Sequence, residues 1–242
     1  ENRCGDAGFR CGGAHPGHGS LSAVETLSIA CDFDGTITCH DTLHLIVERF
    51  GTPGVWESLE PALVRGELSV EEAMRRQFAT VRAEPDEVLA LVRERAGLRA
   101  GFPQFVRWAA EGGHRLVVLS SGFRWLIERL LADWGLETLQ VSAHDARFSR
   151  EGCTLLWSDR GAPCDLCGRP CKRHDVRRLA LGRPLVYIGD GVSDRCVAPT
   201  ADLIFARAGL ARDLNEENVP FQPFENFIQV QRHLAHPVRR VA

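Results

Sequence analysis

Four short runs of almost uninterrupted apolar residues constrain the fold more than any other feature of this sequence. They occupy positions 27–31, 116–119, 185–188 and 203–205, and residues typical of turns follow each run. A strand covered on both faces is apolar throughout, whereas a strand with one solvated face alternates apolar and polar residues. Helical patterns lie between the runs, notably at 102–111 and 123–134. This order predicts an α/β fold with a doubly wound, Rossmann-like parallel sheet.

A stretch without any strand pattern, 42–97, interrupts this alternation after the first run. It contains short helical patterns separated at Gly51-Thr52-Pro53, Gly66-Glu67-Leu68-Ser69 and Glu84-Pro85. Ser69 stands three residues before Glu72, which is the spacing of a helix-starting capping box. We therefore expect a small helical domain at 42–97, inserted into a core domain formed by 25–41 and 98–242.

Two further segments complete the predicted organisation. Residues 145–148 and 154–157 alternate in polarity around Arg150-Glu151-Gly152, which predicts an antiparallel hairpin. Residues 1–24 are rich in glycine, histidine and cysteine and show no periodicity, so we expect a disordered leader or an extended start.

Composition excludes several classes of function. The 242 residues carry a formal net charge of -3, whereas nucleic-acid binding requires a concentrated basic face. No segment approaches the roughly 18 apolar residues of a membrane span. The nine cysteines form no evenly spaced framework, and the first twenty residues contain no apolar signal-peptide core. These features favour reduced thiols in a cytoplasmic protein.

Two carboxylates follow the first apolar run directly, in the segment Asp32-Phe33-Asp34-Gly35-Thr36. Ligands of an open parallel sheet bind where the strands end, and both carboxylates can point into that crevice. One carboxylate could attack phosphorus while the other donates a proton to the leaving oxygen and later activates water. The alternative is an acidic turn, because Asp-Gly favours turns in any protein.

The third apolar run also ends in an acidic, glycine-rich turn, Gly189-Asp190-Gly191-Val192-Ser193-Asp194. Mg²⁺ prefers oxygen ligands, usually carboxylates together with water and substrate phosphate. Asp32 and Asp190 are candidates for direct ligands, with Asp194 close by. A phosphate dianion could not approach so many carboxylates without that cation.

Candidate phosphate-binding groups follow the second run and precede a later helix. Ser120, Ser121 and Gly122 offer hydroxyl and backbone N–H groups at a predicted helix start, which suits a phosphate. Lys172 precedes a helical pattern at 175–181 and is the natural cationic partner, although lysines usually lie on the solvated surface.

The motifs DxDGT, Ser at a strand end, Lys and GDGxxD occur in this order between 27 and 206, and together they resemble the haloacid dehalogenase superfamily. The resemblance implies that Asp32 is a nucleophile that forms an aspartyl-phosphate and that Asp34 is the general acid and base. It implies that Ser120 and Lys172 bind phosphate. It also implies that the helical insert is a C1-type cap closing over the substrate.

The same resemblance implies a Mg²⁺ site on one side of the nucleophile. The expected ligands are the carboxylates of Asp32 and Asp190 and the backbone carbonyl of Asp34, with Asp194 on the metal side. The expected partner is a small phosphorylated metabolite rather than a nucleic acid or a membrane, and a homodimer is compatible with the sequence.

Within the superfamily, the chain is similar to the phosphoserine phosphatase branch, with two departures. Asp41 stands where that branch has a glutamate that holds the substrate amino group, and Ser193 replaces an asparagine. The segments 205–207 and 218–227 resemble the 2-hydroxy-3-keto-5-methylthiopentenyl-1-phosphate phosphatases of methionine salvage. This resemblance implies as substrate a keto-enol phosphate with no charge outside its phosphate group, with Met74 and Phe78 of the cap providing apolar surface.

Three groups of alternatives remain open from the sequence. Phosphoserine, phosphoethanolamine or phosphocholine would be the substrate of related phosphatases. A phosphotransferase or mutase would use the same aspartyl-phosphate with another acceptor. A catalytically inactive protein would only bind a small ligand on this scaffold.

The cysteines at the end of the predicted hairpin form a separate pattern. Cys164, Cys167 and Cys171 have part of the spacing of a structural zinc site, and Cys153 across the hairpin is a candidate fourth ligand. The alternative is a set of reduced thiols in a turn.

Overall fold

The computed structural model describes residues 26–158, 164, 167–168, 171–180 and 182–235. The predicted leader at 1–24 lies outside these residues. The described part of the chain contains seven strands in one sheet, in the order β4-β3-β2-β1-β5-β6-β7. The strands are β1 (Ser28–Cys31), β2 (Arg115–Phe123), β3 (Gln140–Phe148), β4 (Cys153–Leu156), β5 (Leu185–Gly189), β6 (Leu203–Ala206) and β7 (Gln222–Pro223).

All neighbouring strands are parallel except β3 and β4, which form an antiparallel pair. The four predicted buried strands are therefore confirmed as β1, β2, β5 and β6, and the predicted hairpin as β3 and β4. The sequence did not predict that β3 also pairs with β2, nor that β7 exists. A strand of two residues is too short to carry a periodic pattern.

The central strand β1 explains why the apolar runs do not alternate. Ile29 and Cys31 belong to the hydrophobic core on one face of the sheet, and Ala30 belongs to the core on the other face. In β5, Ile188 and Tyr187 divide between the same two cores. Both faces of the sheet are covered, so every position of these strands favours an apolar side chain.

The helices are α1 (Thr42–Phe50), α2 (Val55–Val64), α3 (Val70–Phe78), α4 (Pro85–Arg95), α5 (Phe102–Glu111), α6 (Arg124–Asp133), α7 (Lys172–Ala180), α8 (Ala208–Glu216) and α9 (Phe227–Ala235). The pattern at 102–111 predicted α5, and the pattern at 123–134 predicted α6 to within one residue at each end. Among the described residues, no helix has the length and apolarity needed to cross a membrane.

Helices α1 to α4 lie between β1 and α5, where the sequence predicted only short helices. Ser69 caps α3 by accepting a hydrogen bond from the amide of Glu72 at 3.0 Å, while the Glu72 side chain pairs with Arg76. In α4, by contrast, the Glu84 amide donates a hydrogen bond to Glu87 Oε2 at 2.8 Å.

The chain leaves the sheet and returns to it at one point. A bridge between Thr38 and Leu98 joins the two connecting segments. The four helices therefore start and end beside the carboxyl end of β1, where the acidic motif stands.

Candidate active site

Lys172 lies at the first position of α7 and contacts three groups at the carboxyl edge of the sheet. Its ammonium donates to Asp32 Oδ1 at 2.5 Å, to Asp194 Oδ1 at 2.7 Å and to Ser193 Oγ at 3.0 Å. Only 1% of Lys172 and 4% of Asp32 are exposed. The solvated-surface alternative for Lys172 is therefore wrong, and the predicted lysine and nucleophile are in direct contact.

Charge explains how a lysine can be buried there. Burial by itself lowers the pKa of Lys172, but the carboxylates of Asp194 and Asp32 outweigh it and raise that pKa above its ordinary value. The ammonium therefore stays charged at neutral pH and supplies a fixed positive charge next to Asp32.

Asp34, the predicted general acid, is held by hydroxyl and amide groups. Its Oδ1 accepts hydrogen bonds from the Thr42 amide at 3.1 Å and from the Thr42 hydroxyl, and its Oδ2 accepts from Ser120 Oγ at 3.1 Å. Burial raises the pKa of Asp34, and the hydrogen bonds from Thr42 and Ser120 oppose that rise without cancelling it. A carboxyl group with a raised pKa is suited to carrying the proton that a leaving group needs.

The Ser120-Ser121-Gly122 segment differs in detail from the expected phosphate cradle. Strand β2 continues through all three residues, so they do not form a helix start. The Gly122 amide donates to Ser120 Oγ at 2.8 Å, and Ser120 is fully buried behind Asp34. Ser121 is the member of the segment that lines the cavity.

Asp194 is buried and satisfied by groups of the protein. Its Oδ1 accepts from Tyr187 Oη at 2.6 Å as well as from Lys172, and its Oδ2 accepts from the amides of Asp190 and Gly191 at 3.0 and 3.2 Å. This carboxylate therefore fixes both the lysine and the turn that carries Asp190.

Asp190 approaches the loop after β1 very closely. The Thr36 hydroxyl donates to Asp190 Oδ1 at 3.1 Å. Gly35 has a φ of 75°, and a Cβ at this position would lie 2.2 Å from Asp190 Oδ2. Glycine is thus required at position 35 by both conformation and space. Burial, followed by repulsion from Asp194, raises the pKa of Asp190 to about 6.

The carboxylates of Asp32, Asp190 and Asp194 converge, with one oxygen of each lying within 4.8 Å of the others. Burial and the charge of Asp194 raise the pKa of Asp32, although Lys172 opposes this effect. One ammonium faces three carboxylates, so the cluster fits a hard divalent cation such as Mg²⁺. The donors are of the predicted type.

Two arginines, Arg99 and Arg207, hold the loop after β1. Arg99 is buried and donates to the backbone carbonyls of Thr36, Gly35 and Thr38 at 2.6, 2.7 and 2.9 Å. Arg207 donates to the carbonyl of Gly35 at 2.7 Å. Arg207 belongs to the segment 205–207 on which the resemblance depended, whereas Arg99 carried no local signal, because most arginines lie on the surface.

A cavity of about 120 Å³ lies between the acidic strand ends and helices α1 to α3. A second compartment of about 180 Å³ adjoins it and is lined by Lys172, His144 and Trp157. Ser121, Val70, Met74 and Ser193 line both. Thus the predicted cap residue Met74 faces the site, as does Ser193.

The other predicted cap residue, Phe78, lies elsewhere. It is fully buried, and its ring centroid is 4.9 Å from that of Phe123 and 6.3 Å from that of Phe148. It does not line either compartment. The expectation that Phe78 contacts substrate is therefore wrong, because its side chain packs α3 onto the sheet.

Asp41 lines the cavity but also caps α1. Its Oδ1 accepts hydrogen bonds from the amides of Leu43 and His44 at 2.8 and 3.0 Å. Burial, followed by repulsion from Asp34, raises the pKa of Asp41 to about 7. A substrate contact by Asp41 stays a prediction, and the helix cap is a role that the sequence did not suggest.

A family model for haloacid dehalogenase-like hydrolases matches residues 29–199. The chain belongs to this family. A protein of Bacillus thuringiensis (strain Al Hakam) named 2-hydroxy-3-keto-5-methylthiopentenyl-1-phosphate phosphatase is 31% identical over 87% of this chain and 97% of its own length. A protein of the same name from Bacillus cytotoxicus is 30% identical over 88% of this chain and 98% of its own length. Membership of the family and the similarity to these relatives together identify the chain as a phosphatase.

Solved structures of this family share the fold. A phospho-aspartyl intermediate analogue of phosphoserine phosphatase superposes with a TM-score of 0.65 at 17% identity, covering 86% of this chain and 98% of its own. A hydrolase of the family from Salmonella enterica superposes with a TM-score of 0.69 at 17% identity, covering 89% of this chain and 73% of its own. At these identities the likeness concerns the fold, which confirms the predicted α/β class.

Proposed function

We propose that the chain hydrolyses a small phosphomonoester in two steps at the carboxyl edge of β1. In the first, an oxygen of Asp32 attacks phosphorus, the bond to the leaving oxygen breaks, and Asp34 donates its proton to that oxygen. In the second, Asp34 takes a proton from water, which attacks the aspartyl-phosphate and releases Asp32 and inorganic phosphate. The observation that carries this proposal is the contact of Lys172 with Asp32, beside an Asp34 held by Thr42 and Ser120.

The residues around the nucleophile have separable roles in this scheme. Lys172 orients Asp32 and offsets phosphate charge, while Asp194 keeps Lys172 in position. Mg²⁺ would be held by Asp32, Asp190 and the backbone carbonyl of Asp34, with Asp194 on the same side. When bound, the ion supplies positive charge that lets a phosphate dianion approach the carboxylates.

Helices α1 to α4 act, in this proposal, as a cap over the reacting groups. Their contribution to the cavity is mainly apolar, from Trp56, Leu63, Val70 and Met74, together with the amide of Gln77. Enclosure by such a surface excludes bulk water and strengthens the electrostatic interactions inside.

The substrate we propose is an enol phosphate with a thioether tail and no charge outside its phosphate group, as in the names of the Bacillus relatives. The apolar cap surface suits such a tail. Among the described residues that line the two compartments, Lys172 is the single lysine or arginine, and it already contacts Asp32. Within these two compartments the carboxylate of phosphoserine would therefore find no cation that is not already paired, which weakens that alternative.

The decisive experiment compares kcat/KM for the enol phosphate, phosphoserine, phosphoethanolamine and phosphocholine at one Mg²⁺ concentration. We expect the enol phosphate to exceed phosphoserine by tenfold or more, about 1.4 kcal/mol of transition-state preference. The opposite order would replace the proposed substrate while leaving the two-step mechanism in place. Phosphate release that requires an added acceptor would instead indicate a phosphotransferase.

A further inference from the structure

Four cysteine sulfurs come together beside the active site, from Cys164, Cys167, Cys171 and Cys196. All four Sγ atoms lie within 4.8 Å of one another, and those of Cys164 and Cys196 are 3.3 Å apart. A tetrahedral zinc ion with Zn–S bonds of about 2.3 Å requires S···S separations of about 3.8 Å. A disulfide requires about 2.05 Å. The cluster therefore has the dimensions of one tetrathiolate metal site.

The fourth sulfur differs from the one expected from the sequence. The sequence offered Cys153, across the hairpin, as a candidate fourth ligand, but Cys153 is not a member of the cluster. Cys196 takes that position, just after the short 3-10 turn Val192–Asp194. The parallel sheet brings these two segments together, so sequence spacing could not reveal the pair.

A charged donor lies against the cluster. Arg173 Nη1 donates to Cys164 Sγ at 3.7 Å. Four thiolates around a divalent ion carry a net charge of about -2, and N–H groups directed at ligand sulfurs commonly offset such charge. A cationic donor at this position suits thiolate ligands better than neutral thiols.

We propose that Cys164, Cys167, Cys171 and Cys196 bind one structural Zn²⁺ ion. Four sulfur ligands fill a tetrahedral shell and leave no open position, as in structural rather than catalytic zinc sites. Soft thiolates also select against Mg²⁺, so this site is chemically distinct from the carboxylate cluster.

The proposed zinc ligands lie next to catalytic residues in the sequence, so loss of the ion should affect the active site. Cys171 immediately precedes Lys172, and Cys196 stands two residues after Asp194. The ion would join the segment that presents the lysine to the turn that presents its carboxylate partner. Its loss should therefore loosen the contact between Lys172 and Asp194, which is 2.7 Å in the structure.

The test is the metal content of the full chain purified from zinc-supplemented cells, measured by mass spectrometry of the elements. We expect about one zinc ion per chain and no stoichiometric iron. Cys167→Ser and Cys196→Ser should each lose most of the zinc and lower the thermal midpoint. Cys39→Ser and Cys153→Ser are matched controls and should retain it, because neither residue belongs to the cluster.

A second measurement needs no variant that risks unfolding. Replacing zinc by Co²⁺ in the unmodified chain should produce the visible bands and sulfur-to-cobalt charge-transfer absorption of a tetrahedral thiolate site. Absence of these bands with no bound zinc, iron in place of zinc, or a disulfide between Cys164 and Cys196 would each overturn the proposal. Zinc retained in Cys196→Ser but lost in Cys153→Ser would overturn this ligand set.

Discussion

At the scale of single residues, the site depends on polar side chains that are buried and fully engaged. Lys172 and Asp194 neutralise each other beneath the nucleophile, and the Tyr187 hydroxyl also binds that carboxylate. Thr42 and Ser120 donate hydrogen bonds to the Asp34 carboxylate. Unpaired buried charges would be costly, so each of these contacts stabilises the fold as well as the catalytic geometry.

Replacement of the proposed nucleophile is the most direct test at this scale. Asp32→Asn removes the attacking oxygen without changing the size of the side chain, so we expect kcat to fall by several orders of magnitude. Steady-state phosphate release measures the effect, and circular dichroism checks folding. Asp86→Asn makes the same chemical change at an exposed position and should keep full activity. Substantial turnover by folded Asp32→Asn protein would contradict the assignment.

The hydrogen bonds to Asp34 predict a shift in the pH profile. The hydrogen bond from the Thr42 hydroxyl lowers the pKa of Asp34. Thr42→Val removes this donor, so we expect the pKa of Asp34 to rise further. Because the acid must be protonated in the first step, the alkaline limb of the kcat profile should move to higher pH. Thr52→Val, an exposed threonine, is the control. An unchanged limb in Thr42→Val would mean that another group sets it.

Removal of the divalent ion should abolish activity reversibly. The three converging carboxylates leave excess negative charge, so we expect EDTA to stop turnover and added Mg²⁺ to restore it. Phosphate release before and after dialysis against each solution measures this. Full activity after rigorous chelation would show that the carboxylate cluster has another purpose.

At the scale of elements, the sequence predicted the strands and helices whose pattern of apolar residues extends over several positions. Strands β1, β2, β5 and β6 each contain a nearly uninterrupted apolar run, because both faces of the sheet are covered. The acidic residues after β1 and β5 were predicted to meet because the carboxyl ends of parallel strands lie at the same edge of the sheet. Contacts that depend on one side chain from a distant element were missed. Arg99 reaches the loop after β1 from the segment before α5, and Cys196 joins cysteines from another connection.

Arg99 should matter for stability in proportion to its hydrogen bonds. Arg99→Gln would leave backbone carbonyls of Gly35, Thr36 and Thr38 without their buried donor, and we expect a loss of about 2–4 kcal/mol in the free energy of unfolding. Urea denaturation measures this loss. Arg95→Gln, on the exposed surface of α4, should change the free energy by less than about 0.5 kcal/mol. Equal effects in the two variants would contradict a bracing role for Arg99.

At the scale of the whole molecule, polar contacts join the helical segment α1–α4 to the rest of the chain. Arg195 pairs with Asp213 of α8 and donates to the carbonyl of Val64, the last residue of α2, at 2.6 Å. Arg150 in the hairpin turn lies 3.1 Å from Glu87 of α4. The contacts at Val64 and Glu87 are exposed and individually weak, so we expect them to break first if the helices open.

The contact of Arg195 with Val64 predicts a measurable effect on that motion. Arg195→Met should open the helices more often, speed amide hydrogen exchange in α2 and lower kcat/KM by about fivefold, the range of an exposed polar contact. Asp213→Asn removes the ion pair but keeps the guanidinium, so it should alter exchange in α2 less. Unchanged exchange in Arg195→Met would show that this contact does not hold the helices closed.

The contact between Tyr187 and Asp194 has a practical consequence. Tyr187 is the single tyrosine of the sequence, it is fully buried, and its hydroxyl touches the carboxylate that binds Lys172. Incorporation of a fluorinated tyrosine would therefore place one fluorine nucleus at the centre of the molecule, with no background from other tyrosines. Its magnetic resonance would sense electric fields from ions and phosphate arriving nearby. Fluorine magnetic resonance at this single position could therefore report the order in which metal and substrate bind during turnover.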